Sequence, residues 1–136
     1  MTRRGLARLA CGAMVAGLMA APTAGRADEA AKTIKIGVVY DLTGPFAGGG
    51  SELHHLGAKI IIDWFNARGG VDGYKVDAIY VDAQSKPDVA INEAVRLIEQ
   101  EKVDMLLGFF SSAECVPVAA RIEQFKKFMW ITTCIA

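Results

Sequence analysis

A chain of 136 residues has room for one small domain at most. Its 15 basic and 15 acidic residues balance overall, but four of the basic ones precede Asp28 and every acidic one follows Ala27. Beyond Ala27 the chain therefore carries 11 basic against 15 acidic residues, which leaves no basic face of the kind nucleic acid requires.

The first 27 residues are unlike the rest. Arg3, Arg4 and Arg8 make a basic start, and Leu9 to Ala21 are uncharged and nearly all Ala, Gly, Leu, Met and Val. Pro22 ends the run, and Gly25-Arg26-Ala27 offers a cleavage site before Asp28. This is the plan of a secretory signal peptide: charge to orient, an apolar stretch to insert, small residues to fit the peptidase. The apolar stretch falls short of the roughly 20 residues that span a bilayer. Thr2-Arg3-Arg4-Gly5-Leu6 faintly resembles a twin-arginine signal, but an ordinary Sec signal is the simpler reading. Cys11 precedes most of the apolar run, which argues against lipid attachment there. Residues 1–27 are thus read as signal peptide and residues 28–136 as exported to the periplasm.

Thr33 to Tyr40 reads TIKIGVVY, a β-branched and apolar run that predicts a strand buried on both faces. DLTGPFAGGG is a loop. Ser51 is placed to cap a helix over 53–67, with Leu53, Leu56, Ile60 and Trp64 at helical spacing and Gly57 against the sheet. Gly69-Gly70 end it. A second strand follows over 76–82, and Pro87 opens a helix whose buried face is Val89, Ala90, Ala94, Val95, Leu97 and Ile98. A third strand is predicted over 103–109, a third helix over 114–126 with Pro117 in its first turn, and a fourth strand over 128–132. Alternating strands and helices predict an α/β fold, a Rossmann-like parallel sheet with helices on both faces. The last strand has no helix after it to cover it, so the expectation is a longer protein.

Ligands of an open parallel sheet bind beyond the carboxyl ends of its strands. Four stretches reach that edge: Asp41 to Gly50, Asp82 to Lys86, Phe110 to Glu114, and Thr132 to Ala136. Ser111 and Ser112 offer hydroxyls beside the unpaired N–H groups of a helix start, a pairing suited to a carboxylate. Either serine alone is more ordinarily a helix cap. Gly48-Gly49-Gly50 matches neither GxxxxGK[ST] nor GxGxxG. His54 and His55 are adjacent, so on a helix they diverge and cannot readily share a metal. Asp41, Asp63 and Asp82 form no recognisable catalytic set, and no arrangement of nucleophile, base and orienting group is present. The residues support neither an enzyme nor a cofactor site.

Together, IKIGVVYDLTGPFAGGG, GAKIIIDWFNARGGVDGYKV and DAQSKPDVAINEAVRLIEQEKVDMLLGFFSS resemble the periplasmic substrate-binding proteins of branched-chain amino acid transporters, the Leu/Ile/Val-binding type. The resemblance runs from Lys32 to Ala136. It implies a type I periplasmic-binding-protein fold, with two lobes closing on a ligand, of which residues 28–136 are the first part of the first lobe. It implies delivery of a small ligand to the membrane permease of an ABC transporter. A sensor domain of the same fold, feeding a signalling partner, is the alternative. Ser112 would contact a ligand carboxylate, with Ser111 beside it, and Cys134 and Ala136 would complete the pocket. Three residues depart from the amino acid binders: Ala136 lacks a hydroxyl, Gly49 stands where a pocket aromatic can occur, and Glu114 adds a negative charge near the helix start. Branched-chain amino acids, amides and aromatic acids all remain open as ligands.

Cys115 and Cys134 are the cysteines left after cleavage. An oxidising compartment permits a bridge, but Cys115 lies several residues past its strand, so the sequence reading expects free thiols. For export, the expected outcome is a mature protein that begins at Asp28. N-terminal sequencing of the exported product checks this, and retention of Met1 to Ala27 contradicts it.

Overall fold

The computed structural model describes residues 32–134. The segment read as signal peptide, its expected cleavage site and Ala136 lie outside them. Four strands, β1 (Thr33–Tyr40), β2 (Lys75–Asp82), β3 (Met105–Gly108) and β4 (Phe128–Ile131), form a sheet in the order β2-β1-β3-β4. All three pairings are parallel. Three helices connect them: α1 (Glu52–Ala67), α2 (Pro87–Glu99) and α3 (Ser112–Ile122). The α/β reading of the sequence is the observed architecture.

Side chains alternate along β1 and so divide the core into two. Val39 joins Val81, Leu97, Leu106, Phe109, Val118 and Ile122 under α2 and α3. Val38 and Tyr40 point the other way, to Ile62 of α1 and Val76. Helix α2 buries Ala90, Ala94, Leu97 and Ile98 as its spacing predicts, while Val89 and Val95, expected on the same face, are half-buried. β1 lies so close to β3 that Gly108, at φ +137°, faces the backbone of Val39 where a Cβ would have to sit.

Several details differ from the sequence reading. On α1 the buried side is Ile62, with half-buried His55 and Ala58, while Leu53, Leu56, Ile60 and Trp64 are exposed. The sheet beneath α1 carries Tyr40 and Tyr80, and His55 packs edge-on to both, with centroids 6.4 and 5.0 Å away. Those rings turn the apolar stripe away from the sheet. Gly57 is exposed and touches nothing at its Cβ position, so it does not bring α1 closer. Ser51 does not cap α1 with its side chain. A π-turn over Ala47–Ser51 leads directly into the helix, and the Ser51 hydroxyl accepts from the Asp41 amide at 2.8 Å.

Strand β3 stops at Gly108 because Phe109 takes the left-handed conformation, φ +66°. Helix α3 starts at Ser112, earlier than expected, so Pro117 falls in its second turn and removes an internal hydrogen bond. It ends at Ile122 in a 3-10 turn, Glu123–Phe125, and Lys126 closes it at φ +52°. Gly108→Ala should therefore destabilise the full-length protein by about 1–3 kcal/mol or more. Gly48→Ala, with nothing within 4 Å of its added methyl, should leave the melting temperature unchanged. Thermal unfolding of both variants checks the pair.

Candidate ligand site at the carboxyl edge of the sheet

The strand order fixes where a site can lie. From β1 the chain crosses to β2 on one side, then returns to β3 on the other. The loops after β1 and β3 therefore part company at the carboxyl edge and leave a crevice between them. One wall is the loop 41–51; the other is Phe109 to Ser112 with the start of α3.

The first wall is held by a polar clamp from the end of β2. Asp82 Oδ1 accepts the amides of Leu42 (2.9 Å), Thr43 (3.3 Å) and Gln84 (2.8 Å), and Oδ2 accepts the Thr43 hydroxyl at 2.6 Å. Burial pushes the Asp82 carboxyl up, but these hydrogen bonds outweigh it and hold the group below the ordinary aspartate range. The stability this adds is present above the unfolded value of 3.8 and is lost as pH falls through the lower folded one. Ser85 finishes the clamp. Its hydroxyl donates to the Thr43 carbonyl (3.0 Å) and accepts the Phe46 amide (3.0 Å), and its amide donates to Asp41 Oδ1 (2.8 Å). Gly44 at φ +83° lies against Ser85, where a Cβ would stand 2.7 Å from the hydroxyl oxygen.

The second wall carries the serines. Ser111 is the N-cap of α3, and its hydroxyl accepts the Ala113 amide at 3.2 Å. For this residue the capping role is the observed one. Ser112 is the first residue of α3 and is partly exposed at the crevice wall. Cys134 closes in from β4, its sulfur 3.4 Å from the Ser111 carbonyl oxygen. The structure thus brings Ser111, Ser112 and Cys134 together, and Ala136 lies outside the described residues. Thr132 and Thr133 fasten the end of β4 to β3 through the Gly108 and Phe109 carbonyls, at 3.0–3.3 Å.

Phe46, His54 and Phe110 gather at the same edge. Phe110 lies 6.4 Å from Phe46 and 5.7 Å from His54, ring centre to ring centre. An apolar groove of about 430 Å³ runs beside α1, lined by Tyr40, Leu53, His54, Ile61, Leu107 and Thr132. The serines do not line it. It is sheet face that α1 leaves uncovered, and it shares His54 with the aromatic group at the crevice edge. No group of three or more His, Cys, Asp or Glu suited to a metal occurs among the described residues.

Glu114, in the first turn of α3, points inward. It is fully buried beside Asp41. Burial pushes its carboxyl up to about 8, and the neighbouring Asp41 and Asp82 charges push the same way.

The expectation of free thiols is corrected: Cys115 and Cys134 are joined as a disulfide, their Cα atoms 6.5 Å apart. Helix α3 starts early, at Ser112, and its first turn carries Cys115 back toward the sheet instead of onward past the strand end. The bridge ties the start of α3 to the segment after β4.

Sequence comparison places these features. The periplasmic binding protein family matches residues 33–133. The chain belongs to this family. It is 40% identical over 103 residues to Leu/Ile/Val-binding protein homolog 7 of Brucella abortus, a match covering 76% of this chain and 25% of that protein. The branched-chain amino acid transporter substrate-binding protein LivJ of Streptococcus pneumoniae, solved with isoleucine, superposes with a TM-score of 0.73 at 26% identity over 77% of this chain and 30% of LivJ. A solute-binding protein of an ABC transporter from Rhodopseudomonas palustris, solved with 4-hydroxybenzoate, superposes with a TM-score of 0.61 at 30% identity, covering 75% and 27%. The chain spans about a quarter of the length of the curated relatives it matches.

Sequence reasoning found the serine wall from its helix-start context but missed the clamp. Asp82 and Ser85 each stand where a strand gives way to a turn, the position at which Asp and Ser bond nearby backbone. That signal was present in DAQS. The disulfide has a direct check: denatured, unreduced protein that has lost its signal peptide should show no titratable thiol from Cys115 and Cys134, and both after reduction. Two free thiols before reduction would contradict the bridge.

Proposed function

We propose that residues 28–136 form the first part of the first lobe of an extracytoplasmic solute-binding protein, which delivers a small carboxylate or amide ligand to the membrane permease of an ABC-type uptake system. The observation that carries this reading is Ser112 at the start of α3, on the crevice where the strand order reverses. A helix start carries partial positive charge, which favours a carboxylate, and Ser112 places a hydroxyl there. The two walls are fixed independently, one by Asp82 and Ser85 and the other by the Cys115–Cys134 bridge, so little ordering remains to oppose binding.

The ligand is a branched-chain amino acid, an amide or an aromatic acid. Phe46, His54 and Phe110 supply an apolar wall for its body. The matched relative named for Leu, Ile and Val, and the neighbours solved with isoleucine and with 4-hydroxybenzoate, keep both acid classes in play. Catalysis forms no part of the proposal.

Calorimetry on the full-length protein with isoleucine, leucine, 4-hydroxybenzoate and their neutral amides tests it. At least one of these should bind. Ser112→Ala should weaken that binding by about 1.5–3 kcal/mol, or about tenfold to a hundredfold, with the melting temperature of the unliganded protein unchanged. No binding by the whole panel, or full affinity in Ser112→Ala, would contradict the assignment.

A further inference from the structure

We infer that Asp41 and Glu114 share one proton beneath the start of α3, and that a carboxylate ligand binds to the form of the protein that holds it. The inference rests on the proposed carboxylate site at Ser112.

Both carboxyl groups are fully buried. Asp41 Oδ1 accepts the Ser85 amide at 2.8 Å. Asp41 Oδ2 and both oxygens of Glu114 have no donor at all. The two groups face each other within hydrogen-bonding reach, yet as carboxylates each offers only acceptors. Two adjacent buried carboxylates cannot both ionise without a large penalty. One proton removes it by turning the pair into a donor and an acceptor.

Among the described residues no positive charge relieves Glu114. Asp82, at the end of β2, is the further charge acting on Glu114, and it is also negative. Among the described residues, helix α2, which packs along α3, and Thr132 to Cys134 after β4 contribute no charge to it. Burial and these two aspartates hold the Glu114 carboxyl at about 8, so the shared proton stays at neutral pH.

The ligand enters through the helix. Ser111-Ser112-Ala113-Glu114 has the spacing of a capping box, in which the glutamate would reach back to the cap amide. Here the carboxyl turns inward and takes no donor. Ionised, it would neutralise the positive field of the α3 start from inside, two residues from Ser112. Protonated, it leaves that field to an incoming carboxylate. The proton given up at high pH goes to solvent. Glu114 is therefore a positioning residue for the site, since it acts through the helix and without touching ligand.

The test uses the full-length protein and its Glu114→Gln variant. Glutamine keeps the shape of the protonated side chain. Without ligand, the folded Glu114 titrates above the unfolded value of 4.5. Its contribution to stability is complete below 4.5 and is lost as pH rises toward about 8. Wild-type melting temperature should thus fall over that window more steeply than that of Glu114→Gln. With isoleucine and benzoate as probes, wild-type affinity should weaken about tenfold between pH 7 and pH 9, and Glu114→Gln should hold its affinity. Should the variant not fold, the infrared carbonyl band of a protonated carboxyl in the wild type, present at pH 7 and gone at pH 9.5, reads the same proton.

Equal pH slopes in the two proteins, or no such band, would overturn the shared proton. A steep stability profile with a flat affinity profile would overturn its link to the ligand. If neither probe binds at any pH, the carboxylate site fails, and with it the link, while the unliganded melts and the infrared band still decide the proton.

Discussion

Strand β1 lies between β2 and β3, and the ligand edge depends on that placement. It pairs with β2 along its whole length and with β3 from Ile36 to Val39. Because β1 continues past the end of the β3 pairing, its last residue, Tyr40, and Asp41 just beyond it stand where side chains from four elements meet. Tyr40 reaches Thr132 beyond β4 at 3.1 Å, and Asp41 reaches Ser85 beyond β2 and Glu114 on α3. One strand end thus sets the distance between the two walls of the crevice. The close approach at Gly108 keeps β3 in step with it.

The edge is built from polar groups whose hydrogen bonds are spent on loops. Asp82 collects four donors from the first loop and its own turn. Each such bond adds only about 0.5–1.5 kcal/mol net, more when the acceptor is charged, but their joint effect is to give the Thr43-Gly44-Pro45 turn a single position. On the opposite wall the same work falls to a covalent link. A site made of loops gains precision when each loop is pinned to the sheet by something other than its own backbone.

How much of this was legible in the sequence follows from the range of the interactions involved. The strand at Thr33–Tyr40 and the helix opened by Pro87 rest on local periodicity and local backbone chemistry, and both lie where the sequence placed them. Helix α1 was placed correctly, but its buried side was not. Its packing is decided by Tyr40 and Tyr80, which belong to two other strands, and no property of the stripe Leu53, Leu56, Ile60, Trp64 reports on them. The early start of α3 turned on the Ser111 cap, and its consequence for Cys115 was three-dimensional. Ser111, Ser112 and Cys134 were legible as neighbours because all follow parallel strand ends. The Asp41–Glu114 contact spans 73 positions of sequence and left no local trace.

The proposed function puts the ligand's carboxylate at the start of α3. A crystal structure of the full-length protein with its bound acid tests this most directly. The account predicts the ligand carboxylate against Ser112 at the start of α3, with its body toward Phe46 and Phe110. A ligand seated instead in the apolar groove beside α1, or with its carboxylate away from α3, would contradict it.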